Sequence, residues 1–322
     1  MALTPKDNFL RALRREGPER VPFAGDGVVV EAIPDEWGYP PLSEAGTEMR
    51  DAWGVLWRLG DPRVSPYLAE SPLRTVADMR HYEMPDPARD DLLDELRTKI
   101  AAMPDRDAHL LWGVIPMGPF TRAWTLLGME NFLELTLTDP DEVSAFIGRI
   151  VDNHMVLAQR LIELGVEIGG VSDDYGTTQS LIMAPAAWRA MVKPHLARYY
   201  ALHKDAGCLM KQHSCGNVTA IIPDLIEIGL DILNPLQAGA LDHAAIKAHF
   251  GERLMLWGGV DSGVLTAGSP ADVVEEVKRR LRILAPGGGY VCAHDQALPW
   301  PDENWAAYLD TVRRYGRYPI SI

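Results

Sequence analysis

Cysteine is scarce. The three present, Cys208, Cys215 and Cys292, are an odd number in a chain of 322 residues, which excludes a small disulfide-stapled scaffold. No run of about 18 apolar residues occurs, so no helix is expected to span a bilayer. Residues 1–10 lack the apolar core of a secretory signal, and together with the few thiols this predicts a cytoplasmic protein with reduced cysteines. Positive charge is also in short supply: Lys and Arg number 31 against 45 Asp and Glu, a net charge of −14. That balance repels phosphate backbones and anionic lipid, so neither nucleic acid nor membrane is an expected partner.

What is present is the make-up of a packed globular protein, 47% hydrophobic and 24% charged. From residue 108 onward, short apolar runs alternate with longer amphipathic stretches, the signature of repeated strand–helix units and a parallel sheet. The runs predicted as strands are 109–116, 167–173, 208–213, 231–234, 254–258 and 289–294, with 21–25 as an earlier one. Helices are expected between them, opening on Pro, Asn, Asp or Ser as helix N-termini prefer. Seven or eight such strands, with no G-x-G-x-x-G after any of them, predict a single-domain (β/α)8 TIM barrel over residues 1–322 rather than an open doubly wound sheet. Residues 27–107 break the pattern, with Trp37, Trp53, Trp57 and many prolines. They are expected to be an insertion after the first strand that covers the barrel mouth, not an independent domain.

Candidate chemistry gathers at strand ends. On a strand, residues two apart share a side, so His213 and Cys215 can aim into one site, and Cys292 and His294 can do the same from the last strand. Barrel active sites lie at the carboxyl ends of the strands, which would bring these four together as a zinc site. Zinc takes thiolate and imidazole ligands, and three of the four, most simply His213, Cys215 and Cys292, leave a position open for substrate. Another apolar run ends in Asp173, Asp174 and Tyr175, where an acid could act as general base or orient a metal ligand, or simply cap a helix. Arg122, Gln212, Asn234, Gln237 and Asp261 are candidate substrate contacts, each also suited to a surface, turn or cap role. Gly287-Gly288-Gly289 precedes a strand instead of opening a helix and is not a phosphate cradle.

These residues resemble the uroporphyrinogen decarboxylase-like superfamily, nearer its zinc-dependent corrinoid:thiol (coenzyme M-type) methyltransferase branch than the decarboxylase proper. The resemblance runs through Asn8-Phe9-Leu10-Arg11-Ala12-Leu13, Asp51-Ala52-Trp53-Gly54, Gly118-Pro119-Phe120, Asp173-Asp174-Tyr175-Gly176, His213-Ser214-Cys215-Gly216-Asn217, Asp231-Ile232-Leu233-Asn234-Pro235 and Gly258-Gly259-Val260-Asp261. It implies a (β/α)8 barrel and a zinc held by His213, Cys215 and a distal cysteine. That branch puts the distal cysteine in the turn beyond the last strand, where this chain has Gln296. Either Cys292 or His294 substitutes, or the metal site is altered or lost. The decarboxylase's arginine-rich loop is absent, since 23–31 holds two acids and no arginine.

The expected activity is therefore zinc-dependent transfer of a methyl group between a donor, a methyl-corrinoid on a separate protein, and a thiol or similar small acceptor. The alternatives are a decarboxylase or lyase acting on a small carboxylate and a non-catalytic small-molecule-binding barrel. A homodimer is compatible with the aromatic-rich segment.

Overall fold

The computed structural model describes residues 3–32 and 37–322. Helix α1 (Pro5–Arg14) leads to β1 (Val29–Ala32), then to β2 (Glu48–Arg50), β3 (Leu56–Arg58), β4 (Tyr67–Glu70), α2 (Val76–His81) and α3 (Asp94–Ala101). The strand–helix alternation follows as β5 (Leu110–Ile115), α4 (Pro119–Leu127), α5 (Met129–Thr138), α6 (Pro140–Glu163), β6 (Ile168–Ser172), α7 (Pro185–Met191), α8 (Lys193–Asp205) and β7 (Leu209–His213). It continues with α9 (Ile222–Glu227), β8 (Ile232–Asn234), α10 (His243–Phe250), β9 (Met255–Val260), α11 (Ser262–Ala267), α12 (Pro270–Leu284), β10 (Tyr290–His294) and α13 (Asp302–Tyr315). Among the described residues no helix is long and apolar enough to cross a membrane.

Seven strands form one parallel sheet in the order β1-β5-β6-β7-β8-β9-β10, curled so that its two faces are separate cores. Leu110, Trp112, Val114, Ile168, Ile232, Met255 and Val291 pack together on the inner face, with Phe9 of α1 against them. The alternate residues, among them Leu111, Ile115, Met210, Leu233, Leu256, Tyr290 and Cys292, pack on the outer face among the helices. Both faces are apolar because parallel strands are covered on both sides.

Among the described residues the sheet has seven strands and not the eight of the expected barrel, and the first is displaced. Residues 21–25 do not form a ladder. They meet β10 at one parallel bridge, Phe23 to Cys292, with Cys292 N donating to Pro22 O (2.8 Å) and Ala24 N to Cys292 O (3.0 Å). The chain then turns at Asp26, whose carboxylate accepts from Phe23 N and Val28 N at 3.1 and 3.0 Å, before β1 pairs with β5. Thus β1 occupies positions expected to begin the insertion.

Strands β2, β3 and β4 form a small antiparallel sheet in the aromatic-rich region. Its tryptophans are buried. Trp37 meets Trp53 edge-on at 5.9 Å and Trp53 meets His154 of α6 at 5.7 Å, so this segment docks on the main helical layer through aromatic packing.

Candidate metal centre

At the carboxyl end of β7 the inward residues are Leu209, Lys211 and His213, while Gln212 faces the helices and accepts from Tyr200 Oη at 2.8 Å. The loop that follows carries Cys215 back over the sheet end. This is possible because Gly216 has φ +79° and its backbone lies against Gly176, where a Cβ would sit 2.3 Å from the Gly176 carbonyl. The two rim loops are locked by Asn217 N donating to Thr177 O at 2.7 Å.

Among the described residues, one group of His, Cys, Asp or Glu side chains is arranged to hold a metal ion: Asp174, His213 and Cys215, whose ligand atoms all lie within 4.8 Å of one another. His213 Nε2 is 3.5 Å from Cys215 Sγ and 3.7 Å from Asp174 Oδ1. The other ring nitrogen, Nδ1, donates to Asn234 Oδ1 at 2.7 Å, and Asn234 is itself oriented by donating to Trp257 O at 3.3 Å. That hydrogen bond assigns the proton to Nδ1 and leaves the Nε2 lone pair facing the cluster, as ligating histidines require. Cys215 N donates to Asp174 Oδ1 at 2.7 Å, and Gly216 N to Gln237 Oε1 at 2.7 Å. Burial, with Asp174 adding to it, pushes the Cys215 thiol up to about 12. Imidazole nitrogen, thiol sulfur and carboxylate oxygen are all zinc donor types, so the residues present fit the ion.

The rest of the expected set is divided. Cys292 does not reach the cluster. Inward positions on β10 are Val291 and Ala293, so Cys292 lies in the outer core, fully buried, under the electrostatic influence of Glu276 and Arg280 of α12. His294 lines the cavity but packs against Trp300, ring centroids 4.8 Å apart and tilted at 50°, and is outside the donor group. Gln296 is close: its Nε2 is 3.8 Å from Cys215 Sγ. Of the adjacent acids only Asp174 faces the site. Asp173 is buried and accepts from Phe120 N and Thr121 N (3.0 and 2.6 Å) at the start of α4, an approach that needs Gly118, where a Cβ would sit 2.5 Å from that of Asp173. Tyr175 packs edge-on against Phe120 and Trp188 in the outer core, each at 5.5 Å.

Arg122 is wholly buried, with both terminal nitrogens engaged and its Nε without a hydrogen-bond partner. It donates to Asp51 Oδ2 (2.9 Å) and Trp37 O (3.0 Å), and its Cζ lies 4.6 Å from the Trp53 ring centroid. Asp261 caps α11, accepting from Gly263 N at 2.8 Å. Asn234 and Gln237 therefore support the cluster, whereas Arg122, Gln212, Asp261, Asp173 and Tyr175 are held in packing or capping roles.

A cavity of about 330 Å³ extends from His213 into the curled sheet, lined by Glu31, Trp112, Lys211, Asn234 and Trp257 among others. Lys211 was not foreseen, although a lysine inside an apolar strand two residues before His213 was the available signal. Burial holds its amine down to about 7, against the pull of Glu31. Tyr39 was also missed. Its side chain is 44% exposed, and its hydroxyl lies within electrostatic range of Asp174, Arg122 and Cys215.

A parallel, curled α/β sheet with a nitrogen–sulfur–oxygen donor cluster over the strand carboxyl ends is the architecture of a barrel-type enzyme with a metal-competent site. The chain belongs to the uroporphyrinogen decarboxylase (URO-D) family, whose model matches residues 49–315. Among curated relatives, a methylcobamide:CoM methyltransferase MtaA of Methanosarcina barkeri is 25% identical over 177 residues, covering 53% of this chain and 50% of that protein. A methylated-thiol–coenzyme M methyltransferase of Methanosarcina mazei is 28% identical over 141 residues, covering 43% and 35%. The chain thus spans half or less of the length of these relatives. A solved methyltransferase from Methanosarcina mazei superposes with a TM-score of 0.72 at 20% identity, covering 97% of this chain and 99% of that one, which establishes the shared fold.

Proposed function

We propose that the protein is a methyltransferase that moves a methyl group from a corrinoid-borne donor, carried on a separate protein, to a small thiol, with zinc held by His213, Cys215 and Asp174. The observation that carries this reading is the convergence of three donor atoms within 4.8 Å at the sheet end. The names of the curated relatives, a methylcobamide:CoM and a methylated-thiol–coenzyme M methyltransferase, supply the class of donor and acceptor.

A bound zinc ion supplies the positive charge that brings Cys215 and a thiol acceptor to their thiolate forms at neutral pH. The chain's own residues prepare the site. Asn234 fixes the tautomer of His213, Asp174 orders the Cys215 backbone as well as offering an oxygen, and Gln237 holds the loop at Gly216. The cavity beyond, walled by Trp112 and Trp257, excludes water from the acceptor's tail and strengthens electrostatic contacts within it.

The test is elemental analysis of the purified protein and of His213→Ala, Cys215→Ala and Cys292→Ala variants, followed by transfer from methylcobalamin to a panel of thiols. We expect about one zinc per chain, lost in the first two variants and retained in Cys292→Ala. An absence of metal after zinc loading, or its equal loss in Cys292→Ala, overturns the ligand set. Failure of every thiol to accept a methyl group from the loaded protein overturns the activity.

A further inference from the structure

We propose that His243, in the outer layer behind the metal centre, is a positioning residue. Through Leu236 O it holds the segment 234–237, whose amide side chains set the tautomer of His213 and seat the Cys215 loop. The zinc arm of its test rests on the proposed ligand set; the tautomer arm does not.

Asn234 and Gln237 reach the donor cluster from one short segment at the end of β8, Asn234 to His213 Nδ1 and Gln237 to Gly216 N, each at 2.7 Å. Between them Leu236 has φ +56°, the left-handed region that a residue with a Cβ adopts only where its surroundings impose it. Two contacts do so here. His243 Nε2 donates to Leu236 O at 2.8 Å, and Gly259 N of β9 donates to Pro235 O at 2.9 Å. His243 opens α10, is 4% exposed, and packs on β9 because position 259 is glycine: a Cβ there would sit 3.3 Å from its Cε1.

The state of this histidine is dictated from α12. Arg280 Nη1 lies 2.6 Å from His243 Nδ1, and a guanidinium only donates. Nδ1 is therefore the acceptor, and the proton of the neutral ring sits on Nε2, facing Leu236 O. Arg280 is fixed in turn by donating from Nε to Glu276 Oε1 at 2.6 Å, and both side chains are buried. Burial and Arg280 hold the imidazole below its usual value, against the pull of Glu276 and Asp295, so the ring is neutral at pH 7. The chain Glu276, Arg280, His243 thus ends on a backbone carbonyl between the two residues that prepare the cluster. None of the three belongs to the donor group. Without the His243 donor the carbonyl of buried Leu236 loses its partner, the left-handed backbone relaxes, and Asn234 and Gln237 move with it.

The test uses the full chain and three readouts: zinc affinity by chelator competition, urea midpoints, and long-range proton–nitrogen correlation spectra of the histidine rings without metal at about pH 7.5. The parent protein should show the proton of His243 on Nε2 and that of His213 on Nδ1. His243→Leu should weaken zinc by about tenfold, the lower end of what losing an outer-shell partner costs, and should move His213 away from its single tautomer. His243→Gln, which keeps an amide N–H for Leu236 O, should recover most of both. His203→Leu is the control for a lost buried histidine, since His203 bonds only within α8, to Tyr199 O; it should lower the urea midpoint and leave zinc affinity and the His213 tautomer unchanged. Unchanged zinc affinity in His243→Leu, equal losses in the Leu and Gln variants, or an equal loss in His203→Leu overturns the proposal. Should His243→Leu not fold, the parent spectrum and His243→Gln decide: a charged His243, or one carrying its proton on Nδ1, overturns it. A parent that binds no zinc refutes the ligand set, and the response of the His213 tautomer to His243→Leu then decides this proposal alone.

Discussion

Removing the charge of Asp51 should destabilise the fold severely, and the structure says by how much. Asp51 Oδ1 accepts from Trp53 N and Val55 N, and Oδ2 from Trp57 Nε1 and Arg122, all at 2.9 Å. The side chains of Arg122 and Asp51 are 0% and 2% exposed. In Asp51→Asn one oxygen becomes an NH2 that faces two donors, and the guanidinium of Arg122 loses the carboxylate it pairs with. Breaking a buried pair from one side costs about 3–5 kcal/mol, a large part of a typical stability of about 5–15 kcal/mol. In Arg122→Met the carboxylate keeps three of its four donors, so the loss should be smaller. The double variant should be no less stable than Asp51→Asn alone, giving a coupling of about 2 kcal/mol or more. Urea unfolding followed by far-ultraviolet circular dichroism reads all four proteins. A loss below about 1 kcal/mol in Asp51→Asn, or additive single effects, would refute a desolvated pair. So would an Arg122→Met protein of unchanged stability that no longer binds small ligands, since the arginine would then be a substrate contact.

Two further outcomes follow from the site. Burial outweighs the two backbone donors and raises Asp173 from 3.8 to about 6, so the folded state keeps a proton that the unfolded chain releases. The stability this group contributes is full below about pH 3.8 and is lost as pH rises through 6, to a total of about 3 kcal/mol. Urea midpoints between pH 4 and 7 should therefore fall less steeply in Asp173→Asn than in the parent, and equal slopes would contradict the buried carboxyl. Gln296→Cys places a second thiol beside Cys215, 3.8 Å from the present amide. Zinc affinity in chelator competition should rise by at least the roughly tenfold that even outer-shell changes produce, and an unchanged affinity would remove position 296 from the metal's surroundings.

The alternation of strands and helices was legible because parallel strands buried on both faces read as bounded apolar runs. The same property hid the orientation of β10. Val291 and Cys292 are equally acceptable in either core, so nothing in the sequence said which faced inward, and Cys292 belongs to the outer one. His213 and Cys215 were readable because a polar cluster interrupts an apolar run, and there parity and loop geometry agree. Asp173 and Asp174 were not separable in sequence. Which of them caps α4 depends on how closely Gly118 approaches, a contact across 55 positions that local pattern does not encode. Arg122 reads as a helix-surface residue until its partner 71 residues away is known. The first strand was misplaced because the Asp26 turn lets residues 21–25 touch β10 only once before β1 begins.

Position 296 bears on what kind of centre this is. The resemblance places a cysteine there, and the chain has an amide, while the acid within the donor cluster is Asp174 on the neighbouring loop. Exchange of a distal thiolate for a carboxylate keeps the formal charge of the donor set at one neutral imidazole and two anions. In the proposed zinc centre, the tuning of a bound thiol through charge would therefore be preserved. What changes is softness: an oxygen replaces a sulfur, and discrimination in favour of zinc over harder divalent ions weakens. Asp174 also accepts from Cys215 N, so in the proposed centre its oxygen would be shared between the metal and the loop.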